Sequence, residues 1–411
     1  MNSTQNTSGQ DLSQRVLLYS STGHGLMHLM TAFYAVIVLT LAVEWKLPAE
    51  DLLKLYAPAT VLLGIVSLPA GWLSDRFGAP AMMVVMFFGM GLSSIACGLV
   101  PTGDTTALML ALAGIGAFGA FYHSVGIGWV IRTAKEQGHA MGVNGLFGSI
   151  GLALYGIVPG VLITLLSWRA AFIVPGLVCV AMGFVLIWEM KRGRVGDRPM
   201  PATPGVSAGR AEFWRVFSVL SVTMALEGVL WQAVMFGAAL VFEDHLGANV
   251  LLIGLATSAI YAFSGMAQYA LGRRIIDRYP LKLTYVVASG LQIVAMLGLA
   301  AGNWPLALAG AVFSAILSSA TGPVENIMIA RYTPSRYHGL GFGAKFVVAF
   351  GASPLAILAI AWVRKETGSL DLLFLSLAGV SAVIAIVALL LPGERREGTP
   401  AVAQPAPAPA E

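Results

Sequence analysis

Charge is what this chain has least of. Of its 411 residues only 11% are charged, against about a quarter in a soluble domain, while 57% are hydrophobic. Cysteine is nearly absent as well. Cys97 and Cys179 both fall inside apolar runs, which gives neither a disulfide framework nor metal-ligand spacing. They read as small buried hydrophobes. No Gly-x4-Gly-Lys-Ser/Thr loop is present, so direct ATP drive is disfavoured. An enzyme is disfavoured too, and neither a cofactor nor a metal centre is expected.

What is there is apolar and long. A globular surface of this composition would carry large exposed patches, and a bilayer removes that problem. Runs of about 20 apolar residues each suit one membrane span. Inside lipid the backbone must bond to itself, so these runs are helices. We count twelve: 16–43, 52–73, 80–100, 105–131, 140–166, 169–190, 213–242, 248–271, 283–301, 304–330, 339–363 and 370–391. The first is too long for a signal-peptide core and follows a polar rather than basic segment, so it is expected to stay attached as a span.

Lysine and arginine set the orientation. With the N-terminus in the cytoplasm, 19 of the 24 basic residues fall on that side and five (Lys46, Lys54, Arg169, Arg364 and Lys365) on the other. An even number of spans then puts both termini in the cytoplasm. The basic excess is a topology signal, not a nucleic-acid signature, despite a pI near 9.1.

The runs divide six and six around a hydrophilic segment at 191–212, which holds Lys191, Arg192, Arg194, Arg198, Pro199, Pro201 and Pro204. The expected units are a polar, disordered N-terminal tail (1–14), a first six-helix bundle (15–190), a cytoplasmic linker (191–212), a second bundle (213–391) and a Pro/Ala-rich disordered tail (392–411). Two passages look duplicated. Gly71-Trp72-Leu73-Ser74-Asp75-Arg76-Phe77-Gly78 and Gly272-Arg273-Arg274-Ile275-Ile276-Asp277-Arg278-Tyr279 align on their Asp-Arg pairs at an offset of 202. Arg132 through Gly142 and Arg331 through Gly341 align on their Arg, His and final Gly at an offset of 199. Two matches at nearly one offset indicate parallel repeats.

Twelve runs, the six-plus-six split, Gly-x-Leu-Ser-Asp-Arg-x-Gly at 71–78 and Trp168-Arg169-Ala170-Ala171-Phe172 together resemble the major facilitator superfamily. The resemblance implies an all-α integral membrane fold with twelve transmembrane helices in two pseudo-symmetric six-helix bundles. It also implies secondary transport by alternating access around a central cavity. Gly23-His24 and Gly114 through His123 are similar to the fosmidomycin-resistance branch of drug exporters. In that branch an acidic residue tends to stand in run one, where this chain has His28. In the superfamily, the Asp equivalent to Asp75 faces the start of run eleven. Here that run opens on Gly339-Leu340-Gly341, and free N–H groups at a helix start favour an anion. By pseudo-symmetry Asp277 faces run five, with Gly142, Gly145, Gly148 and Gly151. The expected gate is Gly71, Asp75, Arg76 and Gly78 with Asp277 and Arg278. Arg132 and Arg331 are either gating contacts or positive-inside anchors. Because Gly272 stands one residue too far from Asp277, the first copy is expected to dominate.

Ionisable residues within the apolar runs are costly and usually line a cavity. His24 and His28 lie one helical turn apart and share a face. They are a proton relay or substrate contact, or a pair that joins helices. Tyr122 and His123 lie deep in run four. Glu227 sits midway along run seven, with Trp231 and Gln232 a turn on; Glu325 sits in run ten after Pro323. Desolvation favours a protonated carboxyl, so either Glu is a candidate proton carrier. Lys345 is a charge partner for either or, nearer expectation, snorkels to the surface. Met82, Met86 and Met90 form a stripe that fits packing better than Cu(I) binding.

The leading expectation is proton-coupled export of a small organic or drug-like compound by a monomer in the cell inner membrane. The alternatives are an uptake symporter for a metabolite or metal ion, and a non-transporting receptor or assembly factor on the same scaffold.

Overall fold

The computed structural model of the chain describes residues 2–197, 210–246, 250–352 and 354–393, and among them there is no strand. Among the described residues, helices follow the twelve expected runs to within a few residues. In the first bundle they are α1 (Leu12–Trp45), α2 (Asp51–Ile65 and Ser67–Phe77), α3 (Ala79–Leu99), α4 (Thr105–Thr133), α5 (Gln137–Leu165) and α6 (Trp168–Lys191). In the second they are α7 (Ala211–His245), α8 (Val250–Leu271), α9 (Leu281–Leu299), α10 (Trp304–Tyr332), α11 (His338–Thr367) and α12 (Asp371–Ala388). The exterior is apolar: Leu39, Val43, Ile65, Leu99, Leu165, Trp362 and Leu390 are exposed. Water penalises such a belt and lipid does not.

Proline bends the spans at defined places. α2 bends by 45° after Ile65. Pro69 has no N–H to offer the Ile65 carbonyl, and its ring crowds that oxygen. α5 is broken at Tyr155–Gly156, again four residues before a proline, Pro159. Interior stretches at Tyr122–Gly126 in α4 and at Gly272–Ile276, just beyond α8, are π-helical.

Three expectations change. Of the polar segment 1–14, expected to be a disordered tail, residue 1 lies outside the described residues and the rest is helical, the first helix running from Asn2 to Ala32. Once the apolar run has nucleated a helix, each added residue gains a bond, and no proline stops propagation here. Of the linker 191–212, residues 198–209 lie outside the described residues. Its start folds back on the first bundle: Trp129 Nε1 donates to the Gly196 carbonyl at 3.0 Å, and Asp197 Oδ2 accepts from Ala79 N at 2.9 Å. The C-terminal tail lies outside the described residues from 394 onward. The third change is the repeat register. α4 and α10 end 199 positions apart, at Thr133 and Tyr332, but α5 and α11 begin 201 apart, at Gln137 and His338. The second loop is two residues longer, so His338 is not the partner of His139; Gly339 is the partner of Gly138.

Cys97 and Cys179 are free and buried. At the end of the molecule away from the basic loops, Trp168 Nε1 donates to Glu44 Oε2 at 2.7 Å. Arg169 donates there to the carbonyls of Gly98 and Val100. The Trp-Arg pair of the superfamily-like segment thus ties α6 to α1 and α3.

Candidate functional site

Two carboxylates join the bundles on the face that carries most of the Lys and Arg. Asp75, at the end of α2, accepts from the backbone N–H of Gly339 at 2.6 Å (Oδ1) and of Leu340 at 2.9 Å (Oδ2). Asp277 accepts from the N–H of Gly138 at 2.7 Å (Oδ1) and of His139 at 2.7 Å (Oδ2). Each acid therefore caps the first turn of a helix in the other bundle, where N–H groups have no intrahelical acceptor. α5 has no capping side chain of its own. Hydrogen bonds to a charged group contribute about 1.5–3 kcal/mol each.

Glycine pairs let these helices approach. A Cβ on Gly71 would strike the Gly339 carbonyl, and one on Gly339 would lie 2.9 Å from Asp75 Oδ1. In the second copy a Cβ on Gly272 would strike the Gly138 carbonyl, and one on Gly138 would lie 2.8 Å from Asp277 Oδ1. Gly71 and Gly272 are 201 positions apart, as are Gly138 and Gly339.

The second copy is therefore intact, against the expectation from its spacing. Gly71 and Asp75 are four apart, while Gly272 and Asp277 are five apart. The π-helical turn Gly272–Ile276 absorbs the extra residue, and Asp277 N bonds back to the Gly272 carbonyl at 3.2 Å. A wider turn returns the carboxylate to the face its glycine occupies. Asp277 also meets α5 a turn earlier than expected, at Gly138 and His139. Gly142 contacts the backbone of Gln268 instead.

The other gate candidates do different things. Gly78 (φ +85°) ends α2 in a conformation that suits glycine. The Arg76 guanidinium lies over the rings of Trp72 and Phe77, at 5.8 and 5.5 Å. Arg132 pairs with Asp197 at 3.3 Å, next to its own bundle rather than across the gate. Arg278 and Arg331 line a cavity of about 470 Å³ beside Asp277, with Lys135 and Gln137.

Deeper in the molecule lie two polar clusters. In the first bundle His24, His28 and His123 converge, with their ring nitrogens within 4.8 Å of one another. His24 Nε2 and His28 Nε2 are 3.1 Å apart, and His24 Nδ1 lies 2.8 Å from the Asn144 carbonyl. Tyr122 stacks on His24 (4.5 Å between centroids) and donates to Asn144 Oδ1 at 2.9 Å. His123 Nδ1 is buried and has no hydrogen-bond partner. Spacing alone pairs only His24 with His28; His123 lies 99 positions on, and only folding unites them. Met82, Met86 and Met90 are buried, and Met83 and Met86 pack against Gly23, so this stripe is a packing surface.

In the second bundle Lys345 does not snorkel. It is buried, 3.2 Å from Glu325 Oε2, and it donates to Asn326 Oδ1. Tyr285 donates to Glu325 Oε1 at 2.7 Å. A buried ion pair persists when further hydrogen bonds satisfy it, as here. Lys345 stands 201 positions from Asn144, the residue that anchors His24. Glu227 is buried within electrostatic reach of Glu325, yet its Oε1 has no hydrogen-bond partner. Trp231 and Gln232, a turn along α7, are partly buried. Phe346 and Phe350 of α11 lie against His123, at 4.7 and 5.5 Å, and the Lys345 ammonium lies 5.1 Å from the Phe346 ring. Asn144, Tyr285 and Phe346 carried no signal in the sequence; Asn326 is at least adjacent to Glu325.

Twelve spans in two bundles, helix-capping acids exchanged between the bundles and buried ionisable clusters beneath them define a multi-pass membrane transporter. The model of the Major Facilitator Superfamily matches residues 21–242 and 220–410, and the chain belongs to that family. Among curated relatives, a probable sulfoacetate transporter of Cupriavidus necator is 28% identical over 118 residues, 29% of this chain and 27% of that one. A probable hexose phosphate transport protein of Chlamydia trachomatis is 30% identical over 139 residues, 32% of this chain and 29% of that one. The matched segments thus span under a third of either relative. Among solved structures, the proton:xylose symporter XylE aligns with a TM-score of 0.76 at 16% identity, covering 94% of this chain and 97% of that one. The human organic anion transporter MFSD10 aligns with a TM-score of 0.74 at 15% identity, covering 92% and 99%. At such identity the likeness is one of fold.

Proposed function

We propose that the chain exports a small organic compound in exchange for protons, by alternating access, from the inner membrane of the cell with its basic face in the cytoplasm. The observation that carries the coupling is Glu227. Its carboxyl is buried, one oxygen lacks a hydrogen-bond partner, and a second acid beside it is already occupied by Lys345 and Tyr285. An ionised carboxylate without a counter-ion is costly within a membrane, so the charge of Glu227 and its proton are tied together. Glu227 is the proton carrier in this reading, and Glu325 with Lys345 is the switchable pair that faces it. The Asp75 and Asp277 gates hold the cytoplasmic side shut while the other side loads. The resemblance of Gly23-His24 and of run four to drug exporters supports outward movement. The basic excess on the gated face supports the orientation.

The test is flux in right-side-out and inverted proteoliposomes over a panel of organic solutes, with an imposed pH gradient. Wild type is expected to move solute against the proton gradient. Glu227→Gln is expected to lose gradient-driven accumulation and keep solute exchange at equilibrium. Accumulation in the same direction as proton flow would replace export with symport. Flux indifferent both to the gradient and to Glu227→Gln would sink the coupling assignment.

A further inference from the structure

The histidine cluster in the first bundle is not needed for the gates or for Glu227, and its geometry has a specific chemistry. We propose that His24, His28 and His123 form a binding site for a borderline first-row transition-metal cation of the Zn(II) type.

Three observations carry it. His24 Nε2 and His28 Nε2 face each other at 3.1 Å. Two imidazole ligands at about 2.0–2.1 Å from a tetrahedral zinc stand roughly 3.3 Å apart, so these two nitrogens are already near ligand spacing. His24 Nδ1 is spoken for by the Asn144 carbonyl at 2.8 Å. That bond places its proton on Nδ1, so the Nε2 lone pair accepts from His28 Nε2–H in the empty site and turns to a metal when His28 moves its proton to Nδ1; the carbonyl on Nδ1 is the usual outer support of a metal-bound imidazole. Finally, His123 brings a third ring within 4.8 Å, and its Nδ1 is buried without a partner. An orphaned nitrogen of that kind needs an explanation, and a ligand supplies one. His123 sits on the π-helical turn Tyr122–Gly126, a local widening that recurs at functional sites.

The donor set selects among metals. Imidazole nitrogens suit zinc, copper, nickel and iron, whereas calcium and magnesium prefer oxygen. Three neutral imidazoles leave a fourth position open to water or to an anionic group, as in catalytic rather than structural zinc sites. An anion there would also offset the charge of a buried dication, which no carboxylate in the cluster does. His28 is the least buried of the three and gives the route of entry.

The test is binding, not transport, so it stands apart from the coupling proposal. The full chain, purified without a polyhistidine tag, is titrated with Co(II) and read by its visible ligand-field bands, then by displacement with Zn(II). One cobalt per chain with a tetrahedral-type spectrum is expected, displaced by zinc and not by magnesium. His28→Ala and His123→Ala are each expected to weaken binding by at least about 10-fold, while His245→Ala, remote from the cluster, leaves it unchanged. Since a loss could reflect misfolding, His28→Cys is the second variant. It is expected to keep the metal and add a sulfur-to-cobalt charge-transfer band, which a merely structural histidine would not produce. Absence of saturable binding to wild type, or binding indifferent to His28→Ala and His123→Ala, would overturn the site.

Discussion

The two proposed gates carry the same contacts on different backbones. In the first, Gly71 and Asp75 are one α-helical turn apart, and the acid caps α11. In the second, Gly272 and Asp277 are five apart, a π-helical turn takes up the difference, and the acid caps α5. The glycine contacts are reciprocal in both, and all four carboxylate bonds lie between 2.6 and 2.9 Å. The pair teaches that a duplicated motif is kept as a geometry rather than a spacing. One inserted residue breaks the Gly-to-Asp spacing and leaves the contact whole.

Breaking the close approach should have the largest effect. Leucine at Gly71 or Gly272 drives a side chain into the facing carbonyl. Overpacking of that kind costs about 1–3 kcal/mol, roughly 5- to 150-fold in the population of the closed gate. Gly71→Leu and Gly272→Leu are both expected to slow flux in proteoliposomes by that range. Loss in only one would show that the gates are unequal.

The charge comes next. Asp75→Asn and Asp277→Asn keep the shape, but the amide offers one acceptor oxygen instead of two, so one N–H loses its partner and the other bond loses its charge, a loss of about 1–2 kcal/mol and roughly 5- to 30-fold in gate closure. The two variants should match within twofold when solute exchange rates are compared.

The extra residue is expected to matter least. Deleting Arg274 gives the second copy the spacing of the first, and the helix can close that turn as ordinary α. Flux is expected to stay within about twofold of wild type, because an α turn then returns Asp277 to the same face. A collapse of activity would mean that the π turn itself is part of the mechanism.

Much of this was legible in the chain. Apolar length located the spans, and Asp75 could be paired with the glycines of α11 across 264 positions because the superfamily resemblance sets that Asp opposite run eleven, whose start needs an acceptor. The π turn was not legible, since five-residue spacing looks like decay unless the backbone is seen. Lys345 was misread for a related reason. Proximity to a helix end favours snorkelling, and nothing in sequence shows that Glu325, Asn326 and Tyr285 surround it. His123 joins His24 and His28 only through the packing of α4 against α1.

The equivalence of the gates is tested most directly by a distance across the basic face. Spin labels at Arg76→Cys in the first bundle and Lys282→Cys in the second suit this. Arg76 is exposed and Lys282 partly exposed, while Cys97 and Cys179 are buried. Pulsed electron paramagnetic resonance would compare the labelled protein with Asp75→Asn and Asp277→Asn added singly. Both variants are expected to shift the distribution toward longer separations, and by the same amount. A shift with Asp75→Asn alone, with Asp277→Asn superimposing on the parent, would contradict the account and return the second copy to a vestige.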